Sequence, residues 1–154
     1  MFKKIIIILI FFCTLQACGF TPIYSKNKNF NFVIEEIKLE GDDSFNKLIE
    51  INLKNREFSK KDNNKKIRIE VKTDYSKNSI EKDITGNTLN YELVASVKFY
   101  INSESFEKTF NIEQKSLLKN LSNKNEEKKN EENLKQIMAE GIIDKLLLNL
   151  LYTQ

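Results

Sequence analysis

From residue 89 to residue 101 every second position is apolar: Leu89, Tyr91, Leu93, Ala95, Val97, Phe99 and Ile101. Side chains alternate between the two sides of a strand, so this run predicts one long strand with a single buried face. A strand of that length needs paired neighbours and a cover for its apolar side. The neighbours are visible in the same pattern. Ile67, Ile69, Val71, Thr73 and Tyr75 alternate with Arg68, Glu70, Lys72 and Asp74, which predicts a strand with one wet face. It connects to the long strand through Gly86 and Asn87. Asn102 and Ser103 mark a hairpin turn into a further strand bearing Phe106, Phe110 and Ile112, with Lys108 interrupting its apolar face. Upstream, residues 30–39 read as a first strand. Phe30, Phe32 and Ile34 share one side, and an irregularity is expected at Glu35 and Glu36 before Ile37 and Leu39 resume.

Two segments change from a period of two to helical spacing. Gly41 ends the first strand, and Asp42, Asp43 and Ser44 offer acceptors and negative charge at a helix start. Phe45, Leu48, Ile49 and Leu53 follow at helical spacing, and Lys54 and Arg56 suit the helix end, which predicts a helix over 44–56. Residues 114–130 are rich in Lys, Asn and Glu apart from Leu117, Leu118 and Leu121, and read as a loop with at most one helical turn. A last helix is expected over 131–151, with Leu134, Ile137, Met138 and Ile142 forming one stripe. Beyond it, Ile143, Leu146, Leu147, Leu148, Leu150 and Leu151 place apolar side chains all round the axis. Either Leu147, Leu150 and Leu151 dock on another protein, or the first helix and the lead-in cover them. The predicted order βαβββα makes an α+β two-layer sandwich: a four-stranded mixed sheet with two helices packed on one face.

The amino terminus reads as an export signal. Lys3 and Lys4 precede an unbroken apolar run over 5–12. The apolar stretch ends at Gln16, well short of the roughly 20 residues that a spanning helix needs. Leu15, Gln16, Ala17 and Cys18 resemble a bacterial lipobox, which implies cleavage before Cys18 and a diacylglyceryl group on its sulfur. The chain then divides into a signal peptide over 1–17, a lipidated tether over 18–31 and a domain over 32–154. Two or more acyl chains, each methylene contributing about 0.8 kcal/mol, anchor a soluble domain stably to a bilayer. Gly19 is not the aspartate associated with inner-membrane retention, which favours the outer membrane of a Gram-negative cell. Pro22 keeps the tether extended. Phe20, Ile23 and Tyr24 either pack on the domain or a partner, or are incidental to a plain linker.

Composition narrows the chemistry. Removing Lys3 and Lys4 from 25 basic residues leaves 23 against 22 acidic, too balanced for a nucleic-acid binder. The chain has no His and no Trp, and Cys13 and Cys18 are both accounted for by processing. Ser-His-Asp and Cys-His systems are therefore excluded, as are the usual zinc sets, and no other metal site is expected. The four glycines form no phosphate loop. No catalytic residue, no enzymatic activity and no cofactor beyond the covalent lipid at Cys18 are expected. Lys60, Lys61, Lys65 and Lys66 make a basic stretch that either steers an anionic headgroup or sugar phosphate or is a solvated loop.

The segment Cys18, Gly19, Phe20, Thr21, Pro22, Ile23, Tyr24 resembles the Cys-Gly-Phe-x-Pro-x-Tyr opening of the LPS-assembly lipoprotein family, LptE, in its alphaproteobacterial form. The element order, the long third strand and the terminal segment Met138, Ala139, Glu140, Gly141, Ile142, Ile143, Asp144, Lys145, Leu146, Leu147 are similar to that family too. The resemblance implies a plug within the β-barrel protein LptD, in the translocon that delivers lipopolysaccharide to the outer leaflet. It implies contact with lipopolysaccharide without covalent chemistry. Only Cys18 transfers by position; Lys60, Lys61 and Arg68 are the basic candidates for the lipopolysaccharide contact. The competing reading is a free-standing lipoprotein that binds a small ligand or a cell-wall element between sheet and helices. The lipobox predicts that Cys18→Ala leaves the precursor unacylated and uncut. Intact-mass measurement of the membrane-extracted chain checks this, and an acylated, trimmed variant would contradict it.

Overall fold

The computed structural model describes residues 32–56 and 65–152. Six elements follow one another: β1 (Phe32–Gly41), α1 (Asp43–Asn55), β2 (Lys65–Lys82), β3 (Thr88–Ser103), β4 (Glu107–Lys119) and α2 (Lys124–Leu151). The strands form one sheet in the order β1-β2-β3-β4. β1 pairs with β2 in parallel, and the remaining pairs are antiparallel. A parallel pair needs a crossover, and α1 supplies it. This is the mixed four-stranded sheet and βαβββα order that the hydropathy pattern predicts.

The alternation in β3 becomes the centre of the core. Leu93, Ala95, Val97, Phe99 and Ile101 are buried, as are Ile67, Ile69 and Val71 of β2 beside them. Ile112 and Leu118 of β4 continue the layer. Phe45, Ile49 and Leu53 of α1 and Met138, Ala139, Ile142, Ile143, Leu146, Leu147 and Leu150 of α2 close it from above. The other side of the sheet carries Arg68, Glu70, Lys72 and Asp74 of β2 and is solvated.

The helix start forms as its residues dictate. The Asp42 carboxylate accepts the Phe45 N–H and the Ser44 hydroxyl, both at 2.7 Å, satisfying a donor that the helix itself leaves open. The expected irregularity in β1 is present as a register shift between Ile34 and Glu36. At the far end of α1, Arg56 pairs with Asp144 and ties α1 to α2.

Four boundaries differ from the pattern. β4 runs through Lys119, and α2 begins at Lys124, so most of 114–130 is regular structure. The reason is chemical. Gln114 and Ser116 occupy the inward positions opposite Ala95 and Leu93, so the strand continues while its apolar alternation lapses. β2 likewise runs to Lys82 through its pairing with β3, although its inward positions turn polar at Lys77 and Ser79, opposite Leu93 and Tyr91. The turn between β3 and β4 falls after Ser103 rather than at Asn102 and Ser103.

The β1–α1 corner depends on one glycine. Gly41 has φ +105°, and a Cβ there would lie 1.9 Å from the Thr73 carbonyl oxygen. Thr73 itself is buried and donates to Asn46 Oδ1 at 2.8 Å, linking sheet and helix behind the corner. Gly86 has φ +89° with open space around it. Gly86→Ala is therefore expected to cost about 1–2 kcal/mol from backbone strain alone, and Gly41→Ala clearly more, because the clash adds to the strain. Urea unfolding of the two variants measures the difference.

Candidate interaction surfaces

The first half of α2 is almost entirely polar, yet it lies on the sheet. Among the described residues, buried apolar side chains of this helix begin only at Met138; in its first three turns the buried residue is Glu127. Ionic contacts hold this half. Lys77, at an inward position of β2, donates to Glu127 Oε1 at 3.0 Å and to Glu131 Oε2 at 2.9 Å. The Tyr75 hydroxyl donates to Glu131 Oε1 at 2.9 Å. Glu127 also accepts the Leu121 N–H at 3.0 Å and Lys124 Nζ at 2.8 Å, so the turn into the helix and the helix itself share one carboxylate. Lys77 lies 4.4 Å from the Tyr91 ring centroid, and Lys135 lies 4.1 Å from that of Tyr75.

These contacts move the titration of each group. The hydrogen bond from Lys124, then that from the Leu121 N–H, and more weakly Lys77, hold Glu127 down at about 2. Burial pushes Glu131 up, but the hydrogen bonds from Lys77 and Tyr75 outweigh it and leave its carboxyl below the usual range. Burial, then the hydrogen bond to Glu131, pushes the Tyr75 phenol up. Burial acts against the Lys77 ammonium, and its two glutamate partners more than compensate. Every group has a partner of opposite character, which makes the cluster a clamp between helix and sheet rather than an acid–base pair poised for proton transfer.

The solvated face of the sheet carries both signs of charge in contact. Glu35 pairs with Lys66 at 3.4 Å and Arg68 at 3.2 Å, and Lys115 pairs with Glu92 at 3.4 Å. Arg68 is thus on the open face and exposed, but its guanidinium is already engaged by a carboxylate. The Glu35 carboxyl is correspondingly lowered, first by the Arg68 hydrogen bond and then by Lys66.

The terminal helix departs from one expectation. Leu147 and Leu150 lie in the domain's own core, at 7% and 2% exposure, and Leu151 is half-buried. The all-round apolar helix is accommodated because α1, β4 and the sheet meet it from more than one side, so Leu147 and Leu150 present no free surface to a partner. Cys18, Phe20, Tyr24, Lys60 and Lys61 lie outside the described residues.

The hairpin between β2 and β3 is a surface that the pattern did not single out. Asp83 Oδ1 accepts the Thr85 N–H at 2.8 Å, the Thr85 hydroxyl at 2.7 Å and the Asn87 N–H at 2.9 Å. The Asp83 N–H donates to the Asn87 carbonyl at 2.9 Å, and the Gly86 N–H to the Asp83 carbonyl at 3.0 Å. The bonds to its carboxylate, the Thr85 hydroxyl first and then the Asn87 N–H, hold the Asp83 carboxyl at about 2. The loop is closed on itself, and Ile84 stands fully exposed at its tip. A sequence signal existed: Asp83, Gly86 and Asn87 are turn formers around an isolated isoleucine.

No protein-family model matches the chain, and no curated protein matches it by sequence. The fold does have solved counterparts. Rare lipoprotein B from Shewanella oneidensis is similar with a TM-score of 0.54 and 16% identity, over 77% of this chain and 98% of that one. A minor lipoprotein from Acinetobacter baumannii gives a TM-score of 0.53 at 14% identity, over 76% and 87%. Lipoprotein B from Nitrosomonas europaea gives 0.51 at 16%, over 78% and 84%. At these identities the likeness is one of fold.

The clamp makes a pH prediction. Because Glu127 titrates at about 2 in the folded protein against 4.5 for an unperturbed glutamate, its contribution is present above pH 4.5 and is lost as pH falls toward 2. Glu127→Gln is expected to be less stable than the wild type at pH 7, with the gap closing as pH falls through that window. Thermal melts across the range measure it; a constant gap would contradict it.

Proposed function

We propose that this chain is an outer-membrane lipoprotein of the LptE kind, held in a Gram-negative outer membrane by lipid on Cys18 and seated within an LptD-type β-barrel. The observation that carries this reading is the fold shared with the lipoproteins of Shewanella, Acinetobacter and Nitrosomonas. The lipobox-like run ending at Cys18 precedes that fold here. In this reading the chain helps the barrel assemble and takes part in passing lipopolysaccharide to the outer leaflet.

The clustered side chains support a binding and scaffolding role rather than a catalytic one. Lys77, Glu127, Glu131 and Tyr75 are spent on holding α2 to the sheet. The balanced charges of the open face place no large single-sign field there, so contact with an anionic glycolipid falls to the basic stretch around Lys60 and Lys61, with Arg68 beside it only after release from Glu35. Such a role requires shape, stiffness and an address, and the chain has a compact core and a candidate anchor.

The test is affinity purification of the full-length, natively processed chain from gently solubilised membranes. The expected result is stoichiometric recovery of an outer-membrane β-barrel protein, identified by peptide mass spectrometry, with two or more acyl chains on the Cys18 residue. Recovery of a fully acylated chain with no barrel would contradict the assembly role, and a bare amino terminus would contradict the anchor.

A further inference from the structure

From Lys124 to Asn133 the first half of α2 contains no apolar residue, yet it lies on the inward side of the sheet. Two carboxylates tie it there. Glu127 and Glu131 accept from Lys77 Nζ at 3.0 and 2.9 Å, and Glu131 also accepts the Tyr75 hydroxyl. Lys77 is the one sheet residue that both glutamates share. Lys124 neutralises Glu127 from the helix itself and travels with it. Lys135 ends this half differently: its ammonium rests 4.1 Å from the Tyr75 ring centroid and donates to the Ser44 hydroxyl at 3.3 Å, and apolar burial takes over from Met138.

The sheet beneath this half is not polar throughout. Tyr91 lies under the Lys77 ammonium, and Leu118, opposite Tyr91 on β4, is only 2% exposed. The chain leaves β4 just beyond Leu118, and Glu127 accepts the Leu121 N–H at 3.0 Å, so the cover over Leu118 is fastened by the same carboxylate.

An ionic tie and an apolar seal open by different routes. Removing one partner of a shielded ion pair leaves the others uncompensated, while packing from Met138 onward is untouched. A short helical segment without tertiary support is marginal in water, so a half-helix released by Lys77 frays back toward Lys135. Such local openings occur at a lower free energy than global unfolding.

We propose that residues 124–133 are a strap pinned to the sheet by Lys77, which detaches on its own and uncovers a shelf formed by Tyr91 and Leu118 while the core stays closed. The clamp thereby gives this end of the sheet a covered and an uncovered state. This inference is independent of the barrel reading.

The test measures thiol alkylation of the processed full chain with a cysteine placed under the strap, Leu118→Cys, or in the centre of β3, Val97→Cys, which starts from the same 2% exposure. Peptide mass spectrometry assigns the labelled position. Leu118→Cys is expected to react about tenfold faster than Val97→Cys or more, and adding Lys77→Gln is expected to speed the former by about another tenfold and leave the latter unchanged. Because Leu118→Cys itself removes packing, hydrogen exchange on Lys77→Gln without an added cysteine is the second measurement: amides over 128–133 are expected to exchange about tenfold faster, with those over 93–101 and 138–150 unmoved. Equal alkylation at the two positions, no acceleration by Lys77→Gln, or acceleration of strap and core in step would overturn the proposal.

Discussion

The packing of β3 against the second half of α2 is the contact on which the rest of the structure depends. β3 contributes five consecutive inward residues that are all buried, and α2 meets the layer with Met138, Ala139, Ile142, Ile143, Leu146, Leu147 and Leu150. Each large aliphatic side chain fully buried contributes about 1.5–3 kcal/mol, so this layer is the main source of stability in a domain of modest size. α1 closes one flank through Phe45, Ile49 and Leu53, and its end is fixed to α2 by the Arg56–Asp144 pair. The parallel placement of β1 beside β2 follows from α1, since a strand that returns in the same direction needs a crossover.

In the proposed assembly, partner contact has to be made elsewhere than on the apolar half of α2, which is consumed internally. The polar half of the same helix is held by Lys77 and Tyr75, and the one large apolar side chain it leaves exposed is Ile137. The open sheet face is charged in both signs and laced with ion pairs of the exposed kind, which contribute little each, with Leu117 exposed among them. At the hairpin end a closed, self-bonded loop carries Ile84 fully into solvent, and single exposed apolar side chains of this kind are ordinary on a protein surface.

Much of this was legible in the residues. The period of two in β2 and β3, the acidic cap of α1 and the register shift at Glu35 and Glu36 all have local causes, and local causes are what a sequence displays. The second half of β4 and the start of α2 were hidden for a common reason. In both, tertiary partners replace hydrophobicity as the force that fixes the backbone: Gln114 and Ser116 ride on the pairing of β4 with β3, and the first turns of α2 ride on Lys77. The leucines near the carboxyl terminus were ambiguous because a helix apolar on all sides looks the same whether its cover is α1 or another chain. Ile84 was overlooked because one isoleucine in a polar turn carries no periodicity; its exposure and the closure of the loop around it are set by tertiary structure. Cys18, Phe20, Tyr24, Lys60 and Lys61 rest on the sequence alone.

The central claim is that the terminal helix belongs to this domain's core and not to an interface. Hydrogen exchange on the processed chain, purified free of any partner, tests it most directly. The account predicts that amides over 93–101 and 138–150 are the slowest in the molecule and exchange together, while those over 125–133, held by ion pairs, exchange sooner. Rapid exchange over 138–150 that slows only when a partner is added would contradict it.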